Sequence, residues 1–259
     1  MSYRFERYDP MSRIRGASAV KVLIIVNVAI FILQKILQLS HLLEPFDHLF
    51  GLVPELITTK FYLWQFATSM FLHGGLWHIL MNMLGLFFFG PELEWLWGKR
   101  RFLLFYFGIG MLASLFAYLL NIHSVIPTIG ASGAVFGVIS AYAMLYPDRQ
   151  IIVYIFPMKV KYFVIFFFIF SFLGTLGLEG DVGTSHASHL AGIIFGALYI
   201  KLSRLRAFDQ LRDNFKEKLR LWRLRRKYRN FRVVDRDVKK MWDDLEDRIN
   251  DDKRNSRIN

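Results

Sequence analysis

The sequence of 259 residues contains no cysteine. That absence excludes a disulfide, a thiolate nucleophile and a thiolate-bound metal. It also lacks a His-Glu-x-x-His run, the helical pattern that holds catalytic zinc. Asp181 lies near a late apolar stretch, but no aspartate on a facing stretch pairs with it, so a two-aspartate site is excluded too. No metal site and no cofactor is expected. The first apolar stretch is not followed by a small-residue cleavage site, so it does not read as a removable signal peptide. Basic residues are scarce in three places. Only Lys60 lies between Ser40 and Gly75, none lies in 121–128, and 179–185 holds two acids and no base.

What is present is apolar. Hydrophobic residues make up 54% of the chain, with 26 Phe, yet the formal net charge is +12. Both hold because charge is segregated from long apolar runs. About 20 apolar residues cross a hydrocarbon core of roughly 30 Å. Six such stretches are read: Ala19–Leu39, Leu76–Gly90, Phe102–Leu120, Gly130–Tyr146, Tyr162–Leu178 and His186–Ile200. The segment from Ser40 to Gly75 is broken by Pro45, Gly51 and Pro54 and by Glu44, Asp47 and Glu55, and reads as a connection partly embedded at the interface. Lys and Arg flank alternate ends: Arg4, Arg7, Arg13 and Arg15, then Lys99–Arg101, then Arg149, Lys159 and Lys161, then the tail. Cytoplasmic loops retain positive charge, so six spans with both termini in the cytoplasm are expected.

This gives an all-α membrane protein in three parts. Residues 1–18 are a cytoplasmic N-terminal segment, 19–204 a six-helix membrane domain, and 205–259 a basic helical cytoplasmic tail. The region 201–259 carries 20 of the 33 Lys and Arg. Between Leu211 and Phe231, Leu219, Trp222 and Tyr228 interleave with bases, the pattern of a helix lying against anionic lipid headgroups. A nucleic-acid partner is not expected of a tethered tail. Val234, Val238, Met241, Leu245 and Ile249 recur at helical spacing and suggest a second amphipathic helix.

Polar groups inside a span are expensive and mark candidate function. His78 and Asn82 stand at i and i+4 on the second stretch. Gly130-Ala131-Ser132-Gly133 opens the fourth. His186 and His189 open the sixth, ahead of Gly192 and Gly196, and His73 precedes the second. Each set falls in the first half of a stretch descending from the outer side, so the three share one depth. A serine hydroxyl needs a base, and histidine suits that role near neutral pH. Ser132 near a helix N-terminus meets free N–H groups that favour negative charge. Backbone N–H groups there, with His78 and Asn82, are placed to stabilise an oxyanion. Gly133-x-x-x-Gly137 and Gly192-x-x-x-Gly196 let two membrane helices approach closely. No acid is at hand to orient the histidine, so a Ser132–His189 dyad is read, with Phe136 one turn after Ser132 stacking on the imidazole. Singly, a glycine-flanked serine or a G-x-x-x-G pattern is usually only packing. The combination at one depth carries the argument.

These residues resemble the rhomboid family of intramembrane serine proteases, of bacterial type. The matching elements are His78-x-x-x-Asn82, Gly130-x-Ser132-Gly133 and His189-x-x-Gly192-x-x-x-Gly196, with Gly90-Pro91-Glu92-Leu93-Glu94, Trp97-Gly98 and Arg101-Phe102 after the second stretch. The resemblance covers about residues 19–204. It implies a six-helix bundle with a cavity open to the outer side, Ser132 as nucleophile and His189 as base. It implies His78, Asn82 and the Ser132 backbone as oxyanion stabilisers. Glu94 is implied as a buried carboxylate tying loop backbone near span two, and His73 as support for the first loop. The sequence has Trp64-Gln65 where many members have Trp-Arg, and Phe136 where some have Tyr. The expected activity is cleavage of transmembrane protein substrates near their outer ends, in a bacterial inner membrane. The alternative is a non-catalytic relative that binds or escorts membrane proteins. A transporter is disfavoured because no inverted repeats or paired broken helices are evident.

Overall fold

A computed structural model describes residues 16–153, 156–176, 184–204, 215–223, 240 and 243–244. The basic N-terminal cluster, Asp181 and the expected helix from Val234 to Ile249 lie outside the described residues, apart from isolated positions. The chain divides into two units, one ending at Arg204 and one beginning at Leu205.

Among the described residues of the first unit, the first helix with described bounds is α1, Ser18–Leu39. Ala19, Val20, Leu23, Asn27, Phe31 and Gln34 are buried at spacings of three and four, while Val22, Ile25, Ile32 and Ile36 are exposed on the other side. One stripe therefore packs inward and the other suits lipid. The connection folds into short helices α2 (Leu43–Phe50), α3 (Pro54–Lys60) and α4 (Gln65–Thr68), then a 3-10 turn at Ser69–Phe71. Next come α5 (Leu76–Trp97), α6 (Lys99–Leu120), α7 (Ser132–Leu145), α8 (Val160–Thr175) and α9 (Thr184–Ser203). By length and composition, α1, α5 and α6 can cross a membrane, and α7 and α8 are shorter apolar helices. The fold is mostly helical and the protein is an integral membrane protein.

Three expectations need correction. The second stretch does not stop at Gly90: α5 runs seven residues further, with Pro91 inside it. Gly90 and Pro91 are buried, and a Cβ on Gly90 would meet Val20 Cγ2 at 2.8 Å, so packing against α1 holds the helix through the proline. α5 ends instead at Gly98, where φ is +78° and the N–H donates to Glu94 O at 2.8 Å. Second, the chain is not purely α-helical. β1 (Gln150–Val153) pairs antiparallel with β2 (Phe156–Lys159), Gln150 opposite Lys159. The β-branched run Ile151-Ile152-Val153 favours extended backbone. Third, the backbone that Glu94 ties belongs to α1 and not to a loop.

α7 is the centre of the unit, with Gly133–Val135 and Gly137–Ala143 buried. It meets α9 through glycine. A Cβ on Gly192 would collide with the carbonyl oxygen of Gly133, and one on Gly196 would lie 2.5 Å from that of Gly137. Ser140 Oγ donates to Ile193 O across the same seam at 2.8 Å. The loop helices are tied by amides. Gln65 is fully buried, accepts from Val53 N–H at 2.9 Å and donates to His48 O at 2.8 Å. Gln34 of α1 donates to Asp47 Oδ1 and accepts from His73 N–H, both at 2.9 Å. Leu52 and Thr128 exchange backbone hydrogen bonds at 2.9 Å, which pins the segment leading into α7. In the second unit, residues 215–223 are helical, with Phe215, Leu219 and Trp222 exposed.

Candidate active site

Ser132 is the first residue of α7. Its position depends on Gly130, whose φ of +134° is open to glycine but not to residues with a Cβ. Gly130 N–H donates to Ser69 O at 2.9 Å, and a Cβ there would lie 2.7 Å from the His78 ring. The loop thus passes directly against His78 before the helix starts. The first backbone bond of the α7 turn runs from Val135 N–H to Ala131 O. The N–H groups of Ser132, Gly133 and Ala134 therefore precede the helical ladder, as at any helix start.

His189, one turn into α9, meets the serine. Ser132 Oγ and His189 Nε2 are 2.7 Å apart, a short hydrogen bond between residues 57 apart in sequence. The Phe136 ring centroid lies 4.7 Å from that of His189 at 46° and 5.2 Å from Phe167 of α8. The imidazole is therefore held between its α7 partner and an aromatic wall. Among the described residues no carboxylate bonds His189. His186 stands 6.1 Å from His189 by ring centroid, beside Gly174 and Phe170 of α8. Among the described residues no three metal-ligating side chains converge.

His78 lies beside the loop that leads into Ser132: a Cβ on Gly130 would sit 2.7 Å from its ring and 3.6 Å from Ser132 Oγ. Its Nδ1 accepts a long bond from Gly74 N–H at 3.4 Å. Asn82 is buried, and its amide donates to the His78 carbonyl at 2.8 Å, so its N–H is turned onto its own helix. His73 is buried with its ring 5.1 Å from His78. Burial, reinforced by the nearby His78, pushes His73 down to about 4, so it stays neutral at ordinary pH. Gly133, Gly192 and Gly196 form the α7–α9 seam described above.

Glu94 is a buried carboxylate that ties backbone, as expected, but that backbone is the first turn of α1 and not a loop. It sits on α5 itself, and its two carboxylate oxygens accept from Ala19 N–H and Val20 N–H at 2.9 Å each. Ser18 Oγ lies 3.5 Å from it. The α1 N-terminus has no side-chain cap of its own, so the orphan N–H donors of its first turn draw a buried anion from the neighbouring helix.

Sequence reasoning passed over several polar residues. Asn27 and Gln34 lie inside the first apolar stretch, and the rule that singled out His78 applies to them equally. Gln65 gave no such signal. Glu92, buried, binds Arg149 closely, and Tyr142 Oη lies 3.2 Å from the same carboxylate oxygen. That trio fastens the end of α5 to the turn after α7, a role of Arg149 beyond its place in the charge pattern.

Residues 60–205 match the family model described as Rhomboid domain. The chain is 30% identical over 204 residues to Rhomboid protein 1, mitochondrial, of Saccharomyces cerevisiae, covering 76% of this chain and 57% of that protein. It is 38% identical over 82 residues to Putative rhomboid protease YdcA of Bacillus subtilis, 32% of this chain and 41% of that one. It is also 37% identical over 95 residues to Inactive RHOMBOID-like protein 8 of Arabidopsis thaliana, 37% of this chain and 26% of that one. The chain thus spans 57% or less of the length of these relatives.

Proposed function

The chain belongs to the rhomboid family, and on that premise we propose that it is an intramembrane serine endopeptidase acting on transmembrane proteins through a Ser132–His189 dyad. The observation that carries this reading is the 2.7 Å separation of Ser132 Oγ and His189 Nε2. Ser132 donates its proton to Nε2 as Oγ attacks the substrate carbonyl. The resulting oxyanion lies at the α7 N-terminus, where the N–H groups of the first turn and the positive helix end favour it. His78 faces the same point across Gly130 and adds a donor. Asn82 contributes once its amide leaves the His78 carbonyl. His189 then returns the proton to the leaving amine, an acyl-enzyme forms on Ser132, and water releases it by the same base. Phe136 fixes the imidazole plane that an acid fixes in a triad.

Six spans, with both termini in the cytoplasm of a bacterial inner membrane, place this site toward the outer side. The charge distribution supports that topology. A helical substrate must unwind to present a carbonyl, because its backbone is hydrogen-bonded to itself. Segments with small or helix-breaking residues near the outer face are therefore the expected substrates.

The test is Ser132→Ala in proteoliposomes with a labelled transmembrane substrate, alongside labelling of the wild-type chain by a fluorophosphonate. Cleavage is expected to be abolished and Ser132 to label. Cleavage at the wild-type rate in Ser132→Ala refutes the mechanism. A wild-type chain that neither cleaves nor labels favours a non-catalytic escort role.

A further inference from the structure

The densest charge of the chain lies in the second unit. Residues 215–223 are helical, and Phe215, Leu219 and Trp222 follow one another at spacings of four and three. At 100° per residue they share one narrow stripe. All three side chains are exposed, Trp222 at 55% and Phe215 at 64%. Lys218 borders the stripe on one side, Arg223 and Lys216 on the other, and Glu217 falls on the far face. From Lys216 to Arg229 the sequence carries eight basic residues and one acid.

We propose that the helix at 215–223 is an interfacial anchor, its Phe215-Leu219-Trp222 stripe buried among acyl chains and its bases on the anionic headgroups of the membrane the protein spans. Two features select lipid over other polyanions. A nucleic-acid phosphate backbone would engage the bases and offer no apolar phase to the stripe, whereas an interface takes both faces at once. Only residues 205–214 lie in sequence between this helix and the unit that holds the membrane helices. So short a tether keeps the local headgroup concentration high without any further partner.

The absence of native cysteine supplies the test. The full chain carrying Trp222→Cys is labelled with an environment-sensitive fluorophore of similar size and reconstituted in phosphatidylcholine vesicles, with and without phosphatidylglycerol. Emission is expected to shift to the blue and brighten in the anionic vesicles. High salt should reverse the change as screening shortens the reach of each charge. Lys218→Gln should weaken surface partition roughly fivefold, and a combined K216Q/K218Q/R220Q/R223Q chain should emit as in neutral vesicles. Equal emission in the two lipids would overturn the proposal. So would a shift that survives both salt and charge removal, which would put the stripe against protein. A response to added RNA but not to phosphatidylglycerol would overturn it in favour of a nucleic-acid partner. The proposal stands or falls independently of catalysis, since no outcome depends on Ser132.

Discussion

Adding one methyl group to the α7–α9 seam should disable catalysis. In Gly196→Ala the new Cβ would lie 2.5 Å from Gly137 O, 2.8 Å from its Cα and 3.0 Å from its carbonyl carbon, where ordinary contact begins at 3.4 Å. These neighbours are backbone, so no rotamer change relieves them. The helices must separate or slide by about 0.9 Å at this point. If the whole movement reaches the dyad, its 2.7 Å bond opens to about 3.6 Å, too long to count as a hydrogen bond. A misplacement of roughly 1 Å costs on the order of 100-fold in rate. Gly196→Ala lies two turns from His189 and should lose about 10- to 100-fold in kcat. Gly192→Ala, one turn away and tighter against the Gly133 carbonyl, should lose more. Overpacking also lowers stability by about 1–3 kcal/mol. The control is Gly108→Ala on α6, where an added Cβ meets nothing within 4 Å. Initial cleavage rates, fluorophosphonate labelling and unfolding midpoints in detergent would be compared. If both seam variants cleave within twofold of wild type, or Gly108→Ala loses as much as they do, the spacing argument fails.

Two further predictions follow from residues outside the dyad. Glu94→Gln weakens a charge-assisted cap on two N–H donors and should destabilise the protein by about 2 kcal/mol, read as a lower midpoint in mixed-detergent unfolding; an unchanged midpoint would count against the cap. His73 binds its proton near 4 in the fold but near 6.5 when unfolded, so the unfolded chain alone takes up that proton between those values. Stability should therefore fall as pH drops from about 6.5 to 4 and this contribution should level off below, and His73→Gln should flatten the midpoint across that window; an equal slope in the variant would exclude His73 as its source.

The family and the membrane character were legible because they rest on runs of residues and on spacing, both local properties. Ser132, His189 and Phe136 could be grouped because the chain placed each at a similar distance from a span's start, and depth in a membrane converts that distance into proximity. The continuation of α5 was not legible. Gly90-Pro91 reads as a break to any local rule, and no local rule shows that Gly90 packs closely on Val20, 70 residues earlier. The structural role of Gln65 was hidden for the opposite reason: on a polar connection an amide does not look out of place, and its burial follows from the backbone of His48, Leu49 and Val53 closing around it. The hairpin at 150–159 was missed because its apolar residues look like lead-in to the next helix.

Glu94 also bears on the order in which the protein is made. The carboxylate that closes the start of α1 is encoded 75 residues downstream of Ala19. At about 5–20 residues per second, synthesis leaves that first turn open for roughly 4–15 s. During this interval the nascent helix is an unfinished part, held by the insertion machinery or by lipid, and it locks only when α5 arrives alongside. α1 is thus completed by α5, and a chain that stalls between them carries its own mark of immaturity: a helix start still asking for an anion.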